Sequence, residues 1–334
     1  MLRLYESYRD SGRTTKAAKL VEQAVDAYQK SPIATSASYV KFTNQITELY
    51  QSRGQFQQAI QTHQDLLALC ESELGTEHRG TLTVATRLVS DYRKAGQYDK
   101  ATSLGEQTVS TYQKVLGVSH PKTLKAMNYL ANTCRSAGDM DRATLLYQKT
   151  VKARLETLGE SHANTLTSMS NLALATFASG DIENALPLFE QVVQLRSRHL
   201  GATAESTLKS MTDLAHVYEL EGRYEEAKSL IEVVSANKQQ LDQWRAIEVE
   251  SVFGAIMLGL GETDQAATLL NHGYAQLREA APLISVPHRK DRLARAIRRL
   301  IKLAETQEDA DLTSKWQQEL RDLDTDASMM SAGD

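Results

Sequence analysis

Glycine recurs at positions 12, 54, 96, 138, 180 and 222, a step of 42 residues each time. Five residues after each glycine stands an alanine: Ala17, Ala59, Ala101, Ala143, Ala185 and Ala227. A second series, Gly75, Gly117, Gly159 and Gly201, keeps the step, as do His78, His120 and His162 and the Thr-Leu pairs at 81–82, 123–124, 165–166 and 207–208. Such a ladder commits the chain to an array of like units. One period is too short to enclose a core of its own, so each unit must bury its apolar residues against its neighbours. A 334-residue chain would otherwise raise the question of how many separate cores it holds.

Each unit reads as two helices. In Thr123–Cys134, residues Met127, Leu130, Ala131 and Cys134 fall at i, i+3, i+4 and i+7, which is one helical stripe. Gly138 ends that helix, because a left-handed position costs glycine nothing. A second helix follows with Ala143, Leu146, Tyr147, Thr150 and Val151 on its apolar side, and the small alanine lets the two axes approach closely. Composition agrees: helix formers abound and there are only five prolines.

The net charge of −4 gives no global basic excess that would point to nucleic acid. The two cysteines, Cys70 and Cys134, make no disulfide framework and suit a reducing compartment. Met1 is followed by amphipathic, charged sequence rather than an apolar signal core. No run of eighteen apolar residues exists to span a membrane. A cytoplasmic setting without membrane attachment is the expectation.

The units resemble tetratricopeptide (TPR) repeats. The residues that carry the resemblance are Leu130-Ala131, Gly138 and Ala143, then Leu172-Ala173, Gly180 and Ala185, then Leu214-Ala215, Gly222 and Ala227. The 42-residue period and the linker from Leu116 to Leu124, Leu-Gly-x-x-His-Pro-x-Thr-Leu, are similar to the repeats of kinesin light chains and of the arrays that close many fungal NACHT/STAND-type ATPases. The resemblance implies an all-α fold, a right-handed superhelical solenoid of antiparallel helix pairs. It covers residues 1 to about 275, and departs at Ser31-Pro32-Ile33 and after the sixth repeat.

The expected organisation is six 42-residue units over 1–238, a shortened seventh over 239–281, degenerate capping helices over 282–321 and a polar, frayed tail over 322–334. Phe253-Gly254, Met257, Gly261 and Ala266 fill the slots of the seventh unit after a 39-residue step. Leu4, Tyr8 and Gly12 occupy mid-repeat slots, so the first helix begins with its first turn missing. The chain is therefore expected to be a segment of something longer.

No phosphate loop, dinucleotide fingerprint, zinc-protease motif or nucleophile elbow appears, and no catalytic residue, cofactor or metal site is expected. His78, His120 and His162 hold equivalent positions of successive units. Helix packing spaces them on the order of 10 Å apart, too far to share an ion that needs ligands near ~2 Å. A structural role in the linkers is the better reading.

The resemblance also implies where a partner sits: a concave groove lined by the first helix of each unit, at slots 13, 10, 9, 6, 3 and 2 before each glycine. The candidate peptide-binding residues are Lys41 and Asn44 of repeat two; Arg87, Ser90 and Arg93 of repeat three; Lys125, Asn128, Asn132 and Arg135 of repeat four; and Asn171, Leu174 and Phe177 of repeat five. With Lys94, repeats three and four hold five basic residues and no acid in these slots. Arginine forks suit carboxylates, asparagines suit a ligand backbone, and Leu174 with Phe177 suits an apolar anchor. Kinesin light chains take short acidic peptides bearing an aromatic, which agrees. A protein or peptide partner of acidic character is expected, and the chaperone-binding carboxylate clamp is not reproduced.

Two further expectations concern the ends. An apolar patch at Leu2, Leu4 and Tyr5 motivates the alternative of a spacer that self-associates. Near the carboxyl end, Arg289, Lys290, Arg292, Arg295, Arg298, Arg299 and Lys302 decorate a helix with an apolar side of Leu293, Ile297, Leu300 and Ile301. It reads as a solvated or capping helix, with the acidic run Glu305–Asp311 as its intramolecular partner.

Overall fold

The computed structural model describes residues 37–281 and 286–325. The first repeat, with its clipped helix and the patch at Leu2, Leu4 and Tyr5, lies outside the described residues, as does the tail from 326. The described residues hold fourteen α-helices and no strand. They are α1 (Ala37–Ser52), α2 (Phe56–Leu74), α3 (Arg79–Lys94), α4 (Tyr98–Leu116), α5 (Pro121–Ser136), α6 (Met140–Leu158) and α7 (Ala163–Ala178). There follow α8 (Ile182–Leu200), α9 (Glu205–Leu220), α10 (Tyr224–Ala236), α11 (Gln243–Gly259), α12 (Thr263–Ala280), α13 (Val286–Thr306) and α14 (Ala310–Thr325), with a 3-10 turn at Lys238–Gln240. The chain divides into two compact units, one ending at Thr133 and one beginning at Cys134, within α5.

The residues that repeat in sequence are those that shape each hairpin. Gly138 takes φ +88° between α5 and α6, and the Asp139 amide donates 2.9 Å back to the Cys134 carbonyl, closing off the helix end. Asp139 then caps α6, its carboxylate accepting from the Arg142 amide at 3.1 Å. Ala59, Ala101, Ala143, Ala185, Ala227 and Ala266 are all fully buried, as close approach of paired helices requires.

The linker histidines are caps. His78, His120 and His162 each accept, at ring Nδ1, the backbone N–H two residues on, at 3.1 Å. This satisfies a donor that the first helical turn leaves open. The threonine three residues later ties the turn: Thr81 and Thr123 donate at 2.8 Å to the carbonyls of Gly75 and Gly117. Its leucine neighbour is buried in every described unit that has the pair.

In the unit up to Thr133, Phe56, Ile60, Leu66, Leu88 and Val89 form the centre of the core. In the unit from Cys134, the core runs from Ala173 through Phe189, Ile231 and Ile256 to Leu300 and Leu323. Each such side chain contributes about 1.5–3 kcal/mol by leaving water.

One buried slot changes chemistry along the ladder. Cys70, Tyr112, Arg154 and Arg196 stand 42 residues apart, all buried. Arg154 donates at 2.6 Å to the Asn164 carbonyl and to the Ser168 hydroxyl. Arg196 donates to the Ser206 carbonyl at 2.9 Å, the Leu166 carbonyl at 3.4 Å and the Ser210 hydroxyl. Opposite Cys70 and Tyr112 the serine is replaced by Val84 and Ala126. Polar answers polar and apolar answers apolar across the joint between units.

Candidate functional site

In the unit up to Thr133, the candidate face is carried by α1, α3 and the first turns of α5. Lys41 and Lys125 are exposed, and the Lys125 ammonium lies 5.8 Å from the Tyr129 ring centre. Arg87, Ser90, Arg93 and Asn132 are half-buried. Arg87 reaches Glu48 of α1 at 3.5 Å, with side chains 31% and 62% exposed. At that exposure the pair contributes about 0–1 kcal/mol and leaves the guanidinium open to another carboxylate.

Beneath this face lies a buried polar knot. His63 of α2 and Asp91 of α3 are each 1% exposed, and His63 Nδ1 is bonded to the Asp91 carboxylate. His63 Nε2 lies 3.1 Å from Asn44 Oδ1 and 3.5 Å from the Thr47 hydroxyl. Gln51 donates to Asp91 at 2.5 Å and accepts from the Lys94 ammonium. Burial, aided by the Arg93 charge, pushes the Lys94 ammonium down, while Asp91 and Glu48 pull the other way.

Asn44 is thus buried and committed to His63 rather than turned toward a ligand, and Asn128 is buried as well. Both stood in groove slots by register. The packing of α2 beneath α1 and α3 brings a polar partner up to Asn44, and slot counting does not see that partner.

In the unit from Cys134, the half-buried candidates are Arg135, Asn171, Leu174 and Phe177. The Phe177 ring meets Phe189 edge to face at 6.2 Å and His216 at 5.9 Å. Leu220, one repeat on, is 52% exposed. The arginines of α13 reach α9 and α11. Arg292 pairs with Glu248 of α11, while Arg295 lies 3.5 Å from Glu248 and 3.0 Å from Asp291. Burial alone would raise the Glu248 carboxyl, but Arg292, Arg295 and Arg245 outweigh it and hold it at about 2. Arg299 reaches Glu219 of α9 at 3.0 Å.

The acidic run Glu305–Asp311 is therefore not the partner of these arginines. Glu305 lies on the same helix and Asp311 in the first turn of the next. Arg292, Arg295 and Arg299 share a stripe at i, i+3 and i+7 aimed at α9 and α11 instead.

His63 and Asp91, and the partners of Arg299, escaped the reading of the sequence. The register contains a signal for the first two. His63 stands where Tyr147, Phe189 and Ile231 stand in other repeats, and Asp91 where Leu49, Thr133, Ala175 and Val217 stand.

The sequence matches the Tetratricopeptide repeat family in overlapping windows, 38–114, 81–156, 123–198 and 163–240. The chain belongs to that family. A Podosopora anserina protein of nearly identical TPR-like repeats, named for kinesin light chain, is 31% identical, with 60% of this chain and 95% of that one covered, at a TM-score of 0.51. BtubC (BKLC) from P. vanneervenii is 17% identical over 69% of this chain and 90% of its own, at a TM-score of 0.54. A Rap protein solved with Competence and Sporulation Factor covers 98% of both chains at 12% identity and a TM-score of 0.63, a likeness of fold. No curated protein sequence matches the chain. No described helix is long and apolar enough to cross a membrane.

Proposed function

We propose that the chain is a non-catalytic, cytoplasmic scaffold whose first helices take a partner peptide carrying acidic and apolar residues. The observation that supports this most is the sign of the open face up to Thr133. Lys41, Arg87, Arg93 and Lys125 are all at least partly open to solvent there, against the single acid Glu48. Arg135, Asn171, Leu174 and Phe177 offer a cation, an amide and an apolar step on the other unit. Asn44 and Asn128, also expected in the groove, are buried, and Asn44 is bonded to His63. The resemblance to kinesin light chains favours the same reading, and a place within a larger adaptor or sensor follows from it.

The test uses peptides selected on the wild-type chain from a random display library, with affinity then measured by fluorescence anisotropy. Arg93→Glu with Arg135→Glu is expected to weaken binding at least about tenfold, because charge reversal replaces attraction with repulsion at two points. Helical circular dichroism should stay unchanged, and raised salt should weaken wild type more than the variant. Selected peptides that bind both proteins equally well overturn the proposal.

A further inference from the structure

We propose that His216 is a proton-operated catch: when neutral it holds the C-terminal helix α13 to α9 through Arg299, and when protonated it turns to Glu219 and lets Arg299 go. The geometry behind this is a competition for one atom. His216 Nδ1 lies 2.9 Å from an Arg299 guanidinium nitrogen and 2.9 Å from a Glu219 carboxylate oxygen. A ring nitrogen offers either a lone pair or a proton. In the Nε2–H tautomer the Nδ1 lone pair accepts from Arg299; when the ring gains its second proton, at Nδ1, it donates to Glu219 and sets a positive charge against the guanidinium.

The knot is closed on every side. Arg299 also donates at 3.0 Å to the Ser251 hydroxyl of α11 and at 3.0 Å to Glu219, so it spans two helices. Phe177 of α7 covers the imidazole edge to face at 5.9 Å. The side chains of His216, Glu219 and Arg299 are 12%, 8% and 10% exposed, so a charge added there is poorly screened. The charged groups facing His216 are Glu219 on its own helix and Arg299 and Arg295 on α13. Asp213, one turn back on α9, is a second buried acid near Arg245, Arg292 and Arg295, and burial raises its carboxyl despite them.

Burial would raise the Glu219 carboxyl, yet the His216 hydrogen bond and Arg299 outweigh it and hold it at about 2. It is therefore an anion able to accept the imidazolium's hydrogen bond throughout the mildly acidic range. Burial pushes the His216 imidazole below its free value, and the two arginines add to this, while Glu219 opposes them. A folded form that binds the proton less readily than the released form is favoured above the free value of about 6.5 and loses that advantage as pH falls below it. Each unit by which the docked imidazole lies below its free value makes about a tenfold change in release.

The experiment is hydrogen exchange by mass spectrometry on the full chain from pH 7.5 to 5.0, corrected for intrinsic exchange rates. Protection of the 286–306 segment is expected to fall in one step below pH 6.5 in wild type, by about tenfold per unit of displacement. His216→Gln, which keeps a hydrogen-bonding side chain but cannot gain charge, should show no step. Glu219→Gln, which removes the receiving anion, should move the step to lower pH. A wild-type segment whose protection does not change with pH overturns the proposal. So does a step that survives unchanged in His216→Gln, or one that Glu219→Gln leaves in place.

Discussion

Asp91→Ala is expected to destabilise the unit up to Thr133 by about 2–4 kcal/mol, because the buried groups of His63 and Gln51 both lose their hydrogen-bond partner. Asp91 is 1% exposed and is bonded to His63 and Gln51. Its loss strands a buried imidazole between Asn44 and an empty space, and loosens Gln51 and with it Lys94. The repeat supplies its own control. His63 and Asp91 are 28 residues apart, as are Phe189 and Val217, and Tyr147 and Ala175. His63→Phe with Asp91→Val installs the apolar pair that another repeat already uses at the same joint. That double variant is expected to be more stable than Asp91→Ala alone, a non-additivity that urea denaturation measures directly. Equal or greater loss in the double variant would mean that the pair does not act as one element.

Arg196→Ala follows the same logic in the other unit, with an expected loss of about 2–4 kcal/mol. The guanidinium serves the carbonyls of Ser206 and Leu166 and the Ser210 hydroxyl, and its stem fills the slot that Tyr112 fills elsewhere. Truncation removes the guanidinium hydrogen bonds from a dry joint and leaves a cavity beside them. Arg196→Tyr with Ser210→Ala reproduces the Tyr112 and Ala126 combination and should recover more than half of the loss. Thermal unfolding followed by circular dichroism compares the three proteins. If Arg196→Ala unfolds at the wild-type temperature, the buried arginine contributes nothing.

Much of this architecture is open to a reader of the sequence because a repeat states the same requirement many times. The glycine at each hairpin, the alanine at each close approach and the Thr-Leu of each linker recur at one spacing, so helix pairs and their ends can be placed without coordinates. The histidines of the linkers are visible as a series, but their role as caps is not, since it depends on a ring nitrogen reaching an amide two residues on. The face for a partner is legible only as far as register carries it. Lys41 and Lys125 are exposed and Arg87 half-buried, whereas Asn44 is buried against His63, which comes from a helix that slot counting on α1 leaves out. Arg292, Arg295 and Arg299 are legible as a basic helix. Their partners Glu248 and Glu219 lie more than forty residues away in sequence, and no periodicity connects them.

The polar exceptions within the ladder carry one more implication, about the order of the repeats. His63 and Asp91 sit on opposite sides of the linker at Gly75, Arg154 and Ser168 on opposite sides of Gly159, and Arg196 and Ser210 on opposite sides of Gly201. Every one of these pairs joins the end of one repeat to the start of the next. Repeats that look interchangeable by backbone and by glycine are therefore keyed to particular neighbours. A shuffled chain that set the helix of Asp91 beside that of Phe189 would bury a carboxylate against a phenyl ring, and one that set Arg154 against Ala126 would leave a guanidinium nitrogen without its hydroxyl acceptor. The same backbone could be threaded in many sequences of units, but these buried side chains accept only the orders that match polar to polar at each joint.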